Sequence, residues 1–283
     1  MSWLIYSLLA LTCFIIYDTS GRYYATKSED PRAFAAIYNL FVALMAPAIF
    51  LVDRTMPSHL SPWAIFLTIA GLFFWALNGR FEYFAKKHVE ASIFAITIKI
   101  AVVMSFFLSI IFLHESFTLP KLVGVILIII ANALLFIGQK QGTVMSTKGV
   151  YYSAILVTIL SVAWIFDVVN VKNWGVGTFS VLSFLAPSLL SGLFPPLKLS
   201  AIKRELSLTP WWQIVFLGFF NLAGYGFMLK SFTLGEASNV LPIVTSTTPF
   251  IVLLGVIFLG ERNFLGRKLA SSVLTLIVIY LMR

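Results

Sequence analysis

Ten apolar runs alternate with short polar links along the 283-residue chain, at roughly 3–21, 33–52, 62–84, 91–113, 120–138, 149–169, 177–197, 211–230, 237–259 and 265–282. Each is close to the ~20 apolar residues that a helix needs to cross a bilayer. The links carry helix breakers and charges, as in Ser28-Glu29-Asp30-Pro31, Met56-Pro57-Ser58, Gln139–Lys148 and Lys203-Arg204-Glu205. Within lipid, backbone groups are satisfied only by helices or by a closed barrel, and these runs are far too long for barrel strands. The pattern predicts an all-α membrane protein with ten transmembrane helices.

The runs repeat. A shift of 146 residues places Ile111-Phe112-Leu113-His114-Glu115 on Ile257-Phe258-Leu259-Gly260-Glu261, Leu119 on Leu265 and Lys121 on Arg267. In the same register Glu90-Ala91-Ser92 falls on Glu236-Ala237-Ser238, Tyr6-Ser7 on Tyr152-Ser153 and Thr12 on Thr158. Apolar helices resemble one another by chance, but two matched glutamates in one ungapped register point to duplication. The chain divides into two five-helix repeats, residues 1–138 and 147–283. An odd number of crossings brings the second repeat into the membrane from the opposite side, as an inverted repeat.

The charges test that inversion independently. The first, third, fifth, seventh and ninth links hold 14 of the 20 Lys and Arg, the other face holds 5, and Lys99 lies inside a run. Equivalent links carry opposite bias, Arg22/Lys27/Arg32 against Lys172 alone and Arg54 against Lys198/Lys203/Arg204. The positive-inside rule then puts the 14-charge face in the cytoplasm and both termini outside. Composition agrees: 60% of residues are hydrophobic and only 11% charged, which excludes a soluble globule or a disordered chain. A net charge of +9 would suggest nucleic acid in a soluble protein, but here the basic links are explained by orientation and anionic lipid. The single cysteine, Cys13, lies within the first run and allows no intrachain disulfide. Met1-Ser2-Trp3 has no basic leader pattern, so the first run is expected to stay as a helix.

Two five-helix repeats, each with an apolar helix ending in Leu-x-Glu followed by Leu, a basic residue and another apolar helix, resemble the drug/metabolite transporter superfamily and its EamA-type ten-helix members. The elements are Phe112-Leu113-His114-Glu115 with Leu119-Pro120-Lys121, and Phe258-Leu259-Gly260-Glu261 with Leu265-Gly266-Arg267. The resemblance implies helices 1–4 and 6–9 around a central cavity, with helices 5 and 10 peripheral. It also implies alternating-access transport of small organic solutes, often export, in a multi-pass protein of the cell (inner) membrane. Better-known members are drawn with both termini cytoplasmic, opposite to this charge count.

Charge inside a membrane costs at least ~2.5–3.5 kcal/mol on insertion scales, so such residues normally face a cavity. Lys99 sits near the middle of the fourth run, and its repeat mate is Thr245, in Thr245-Ser246-Thr247-Thr248 closed by Pro249. A lysine facing hydroxyls and amides suits an anionic head; the structural alternative is a tie to an internal acid. Trp75, Asn78 and Glu82 share a face of the third run, and Asn221, Tyr225 and Met228 one of the eighth, with Trp75 mapping onto Asn221. These stripes could grip a substrate or merely pack. Asp18 and Asp167, the latter on one face with Trp164, are candidates for an amine site, a coupling proton or an ion pair, or are acids reaching water near helix ends. Pro242 and Pro249 should bend the ninth helix. Glu115 and Glu261 read as turn-fixing ion pairs with Lys121 and Arg267.

The expected function is secondary transport of a small anionic or zwitterionic metabolite, of amino-acid or organic-acid type. Lys99, Trp75, Asn78, Thr245, Asn221, Tyr225 and Trp164 would bind it; Asp18, Glu82 and Asp167 are coupling or ion-pair candidates. A proton or an exchanged solute would supply the energy. No cofactor, metal or nucleic-acid partner is expected: His59, His88 and His114 are not at ligand spacing, and no phosphate loop follows a strand. An exporter of hydrophobic drugs, a lipid-directed enzyme and a scaffold or receptor are the competing readings. Gly124 and Ala131 could line a close helix contact, in a monomer or a homodimer.

Overall fold

The computed structural model describes residues 2–25, 28–55, 57, 61–88, 91–136, 147–193, 197–247, 249–250 and 265–281. Among them the chain is helical, with no strand. The first repeat gives α1 (Trp3–Ala25), α2 (Pro31–Met45), α3 (Pro47–Val52), α4 (Pro62–His88), α5 (Ala91–Leu113) and α6 (Leu119–Phe136). The second gives α7 (Thr147–Trp174), α8 (Val176–Leu193), α9 (Leu199–Leu208), α10 (Trp211–Leu234), α11 (Ala237–Val244) and α12 (Leu265–Leu281).

Local chemistry sets these boundaries. Asp30 caps α2, its Oδ1 accepting Arg32 N and Ala33 N at 3.1 Å, with Pro31 in the first turn where no donor is lost. Ser61 does the same for α4, accepting Ala64 N at 3.1 Å ahead of Pro62. Pro47 has no N–H, so the second apolar run is divided at Ala46 into α2 and α3. The amphipathic α9, in the link after the seventh run, was read in the sequence only as a charged connection.

Among the described residues four segments are long and apolar enough to cross a bilayer by length and composition: Trp3–Gly21, Arg32–Phe50, Tyr151–Trp174 and Trp211–Leu234. Shorter apolar helices cover Pro62–Asn78, Ile98–Leu113, Leu119–Leu134, Val176–Leu190 and Leu269–Leu281. The polarity is distributed as lipid requires. Trp63, Phe66, Ile69 and Phe73 form one outward stripe on α4, and Leu269, Val273, Leu276 and Tyr280 another on α12. Inside, Ser7, Ser105, Ser161, Asn170 and Ser231 are fully buried. Their side chains return to the backbone or cross between helices: Ser161 Oγ donates to Ala101 O at 3.0 Å, and the hydroxyls of Ser7 and Ser231 meet at 2.7 Å. Small polar residues therefore supply close helix contact and hydrogen bonds where hydrophobicity gives no preference for protein over lipid. Gly124 and Ala131 are buried within the chain, on the helix that packs against α12.

Helix packing is nearly unchanged when the halves are exchanged. α1 packs on α10 as α4 packs on α7; α5 meets α7 as α11 meets α1; α4 meets α8 as α10 meets α2. Three further contacts, α2 with α8, α5 with α11 and α6 with α12, join equivalent helices to each other. That is the contact pattern of two similar units related by a twofold axis.

Candidate functional site

On α11 the chain stops being regular helix after Val244. Pro242 and Pro249 each lack an N–H, so the bend expected of the ninth run takes the form of a break at Thr245-Ser246, between the two prolines. Pro249 is the residue whose N–H would have bonded the Thr245 carbonyl. That carbonyl instead accepts a hydrogen bond from the Lys99 ammonium of α5. The bond joins two residues 146 apart, the repeat-equivalent pair, and so lies where the helices α5 and α11 cross. Lys99 is 4% exposed. Asp18 of α1 is the acid whose charge acts on it, and Asp18 Oδ2 accepts Thr247 Oγ1 at 2.8 Å. The three elements α1, α5 and α11 thus hold a lysine, an aspartate and a broken helix together.

A second cluster forms between α4, α7, α8 and α10. Asp167 is fully buried, and its Oδ1 accepts Trp75 Nε1 at 2.8 Å. Its Oδ2 is buried with no hydrogen-bond partner. The Tyr225 hydroxyl sits between this carboxyl, to which it is hydrogen-bonded, and Ser183 Oγ at 3.0 Å, and Ser183 Oγ donates to Phe179 O at 2.8 Å. Tyr225 stands edge-on to Trp75 and to Phe184, with ring centroids 6.2 and 5.3 Å away. Asn78, one turn beyond Trp75, is buried with Oδ1 unpartnered. Below this cluster, Thr68 Oγ1 donates to Asn170 Oδ1 at 3.0 Å and receives Trp174 Nε1 at 2.6 Å, which fixes α4 against α7.

Several sequence readings change here. Asp18 and Asp167 do not end their helices: α1 continues to Ala25 and α7 to Trp174, and Asp167 has no contact with water. Lys99, Thr245 and Asp18 come together, as do Trp75, Tyr225 and Asp167. Trp164 is buried in the same apolar core as Trp75 and Tyr225, while Asn221 is half-buried one turn before Tyr225. The side chain of Glu82 and the whole of Glu90 and Glu261 lie outside the described residues. Ser183 and Phe184 were not picked out in the sequence, where an uncharged Ser-Phe pair in an apolar run carries no signal.

The Leu-x-Glu element also has a different role from the one expected. Lys121 pairs with Glu236, not Glu115, and its ammonium also donates to Ser116 O at 2.8 Å. Glu115 crosses to the other repeat and caps α11, accepting Ala237 N at 2.6 Å and Ser238 N at 2.8 Å. The x residue, His114, has φ of 56°, the left-handed conformation that ends α5 and turns Glu115 toward α11. Its mate in the other repeat is Gly260, the residue best suited to that conformation. Partial burial pushes the Glu236 carboxyl up, but Lys121 and Ser116 outweigh it and hold it below its ordinary range.

Other links are clamped similarly. Asp53, after α3, pairs with Lys230 at 3.0 Å; burial raises this carboxyl, yet bonds from Thr55 and Lys230 keep it below the usual aspartate range. The start of α8 packs into the same place, Gly177 in its first turn lying so close that a Cβ there would stand 2.7 Å from Phe50 Cα. The exchange-related clamp joins α9 to the link before α2: buried Glu205 accepts Glu29 N at 2.9 Å and Asp30 N at 2.7 Å through Oε1.

Two stretches of the chain, residues 1–137 and 147–283, each match the EamA-like transporter family. No curated protein matches the chain in sequence. A solved crystal structure has the same fold, with a TM-score of 0.75 at 16% identity over 98% of this chain and 95% of that one.

Proposed function

Since the chain belongs to the EamA-like transporter family and is a multi-pass membrane transporter, we propose that it moves a small carboxylate-bearing solute, anionic or zwitterionic, by alternating access. The observation carrying this reading is Lys99. Its ammonium has three donors, of which one is used by the Thr245 carbonyl, and Asp18 offsets its charge. A solute carboxylate can take the remaining donors beside the hydroxyls of the broken helix, as a charge-assisted bond in a low-dielectric place. Trp75, Asn78, Asn221, Tyr225 and Trp164 would contact the rest of the solute.

The inverted relation of residues 1–138 to 147–283 supports the transport cycle. Exchanging the halves preserves the packing, so rocking about the α5–α11 crossing would open one face as it closes the other. We place the protein in the cell (inner) membrane, working outward and driven by a proton or an exchanged solute. The test is a thermal-shift screen of the detergent-purified protein against amino acids, organic acids, sugar phosphates and lipophilic cations, beside Lys99→Gln. Acids or zwitterions should raise the melting temperature of the native protein only. Stabilisation by lipophilic cations alone, unchanged in Lys99→Gln, would favour the drug-exporter reading instead.

A further inference from the structure

We propose that the amphipathic helix α9 is a binding site for an anionic phospholipid, with Lys198 and Lys203 at the lipid phosphate and Leu199 and Leu206 against the upper part of its acyl chains. α9 connects two apolar runs and is fastened along one side. Glu205, 1% exposed, faces inward and accepts Glu29 N and Asp30 N ahead of α2. By helical spacing Leu199, Ile202, Lys203 and Leu206 share another side. Leu199 is 64% exposed, and Lys203 and Leu206 are exposed with it. A helix held by its inner side while it turns leucines and a lysine outward is built to lie in the plane of the membrane surface.

The start of α10 fixes the depth. After Thr209 and Pro210 it opens with Trp211 and Trp212, which are 63% and 55% exposed. Exposed tryptophans at the head of a membrane-crossing helix belong at the headgroup level, where the ring meets apolar surface and the N–H meets water. α9 adjoins that level. Its leucines then reach the upper acyl layer, and its lysine stems rise from the same depth to the phosphates.

Charge selects the lipid. Lys198 and Lys203 are five residues apart, about 7.5 Å along the helix axis, so both ammonium groups can converge on one phosphate. Neither has an acidic partner among the described residues. The nearby acids are already used, Glu205 on backbone N–H groups and Glu29 on Arg204. A zwitterionic headgroup would bring its own cation to this place, whereas a headgroup of the phosphatidylglycerol kind brings negative charge alone. Residues 53–61, the repeat mates of Leu199–Ser207, contain no helix among those described and one Lys or Arg, Arg54. The leucine edge and the lysine pair therefore occur together, on one membrane surface only.

The test is native mass spectrometry of the full-length protein in detergent, titrated with dioleoylphosphatidylglycerol or dioleoylphosphatidylcholine. Glycerol 3-phosphate and inorganic phosphate, which lack the chains, are the other probes. At about fivefold for each lysine, the anionic lipid should bind roughly 25-fold more tightly than the zwitterionic one. Lys198→Gln combined with Lys203→Gln should bring the two lipids to within about twofold of each other. Arg54→Gln, at an exposed arginine of the opposite surface, should leave the preference intact. Leu199→Ser combined with Leu206→Ser should weaken both lipids while the preference stays.

The lipid site is overturned if the two lipids bind equally to the native protein or if the double lysine variant keeps the preference. It is also overturned if Arg54→Gln reduces the preference as much as the lysine changes do, which would reduce the effect to net charge. Unchanged lipid binding in the leucine variant, or a chainless phosphate that binds as tightly as the lipid, would equally contradict it.

Discussion

The clamps at the membrane surfaces and the polar centre between them differ in how they keep the twofold relation of the halves. Among the described residues the clamp charges are matched, Lys121 with Glu236, Lys230 with Asp53, Glu115 with two backbone N–H groups, and Glu205 with two through Oε1 while its Oε2 is buried without a partner. Two clamps are related by exchange of halves, the one around Asp53 and the one around Glu205. In the centre the equivalence fails. Lys99 faces Thr245, Trp75 answers to Asn221 and Asp18 to Trp164. There, Lys99 bonds to the Thr245 carbonyl and is offset by Asp18, while Asp167 is held by Trp75 and Tyr225. The scaffold preserves the duplication because its task, joining two similar units, is symmetric. On the proposed reading, the centre has diverged because it binds a solute that lacks the twofold symmetry of the scaffold.

Substitutions can break this contrast, since clamp residues should govern stability and centre residues transport. The largest effect belongs to Lys99. Lys99→Gln should lower transport in proteoliposomes by roughly 10–100-fold, the worth of a charge-assisted bond, and Lys99→Met should also cost stability. That stability loss should be about 2 kcal/mol, below the value for a fully buried pair because Asp18 is half-buried. Adding Asp18→Asn to Lys99→Met should recover part of it, a non-additivity that thermal melting would detect.

Gly177→Ala comes next. Its methyl would meet the Asp53 carbonyl at 2.5 Å and Phe50 Cα at 2.7 Å, backbone atoms that cannot move cheaply. A loss of about 2 kcal/mol with unchanged ligand affinity is expected. Glu115→Ala removes both capping bonds from α11 and should cost about 1 kcal/mol. Denaturation with and without ligand distinguishes these effects from a binding defect.

Smaller still is His114→Gly, which should stabilise by about 1 kcal/mol or less by relieving a left-handed conformation. Acidification sharpens the contrast last. Asp53 and Glu236 have folded-state values below their unfolded ones, so each contributes stability that is complete above the ordinary carboxylate range. That contribution declines as pH falls below the unfolded values and is gone below the folded ones. Melting temperature should therefore drop on acidification below about pH 4.5, and the drop should shrink in Lys121→Ala and Lys230→Ala.

Much of the scaffold was legible because lipid imposes it: apolar runs and repeat register are one-dimensional signals. The all-helical character follows from the run lengths, and the 146-residue shift names as the mate of Lys99 the residue, Thr245, whose carbonyl it bonds. What escaped the sequence depends on distance in space. Lys121 and Glu115 are near neighbours in the chain, which suggested a pair, yet each reaches across to the other repeat. Asp167 lay close to the end of an apolar run, which suggested water, but α7 runs on past it through Asn170, Lys172 and Asn173 to Trp174. Asn170 is one of them, and it bonds to α4 instead of marking a link.

The central claim is that Lys99 binds the solute at the crossing of α5 and α11 during an alternating cycle. Counterflow in proteoliposomes tests it most directly. Vesicles are loaded with the best-stabilising amino acid, and entry of its labelled form is followed for the native protein and Lys99→Gln at equal incorporation. The account expects rapid accumulation with the native protein and an initial rate roughly 10–100-fold lower with the variant. Equal counterflow in both would contradict it.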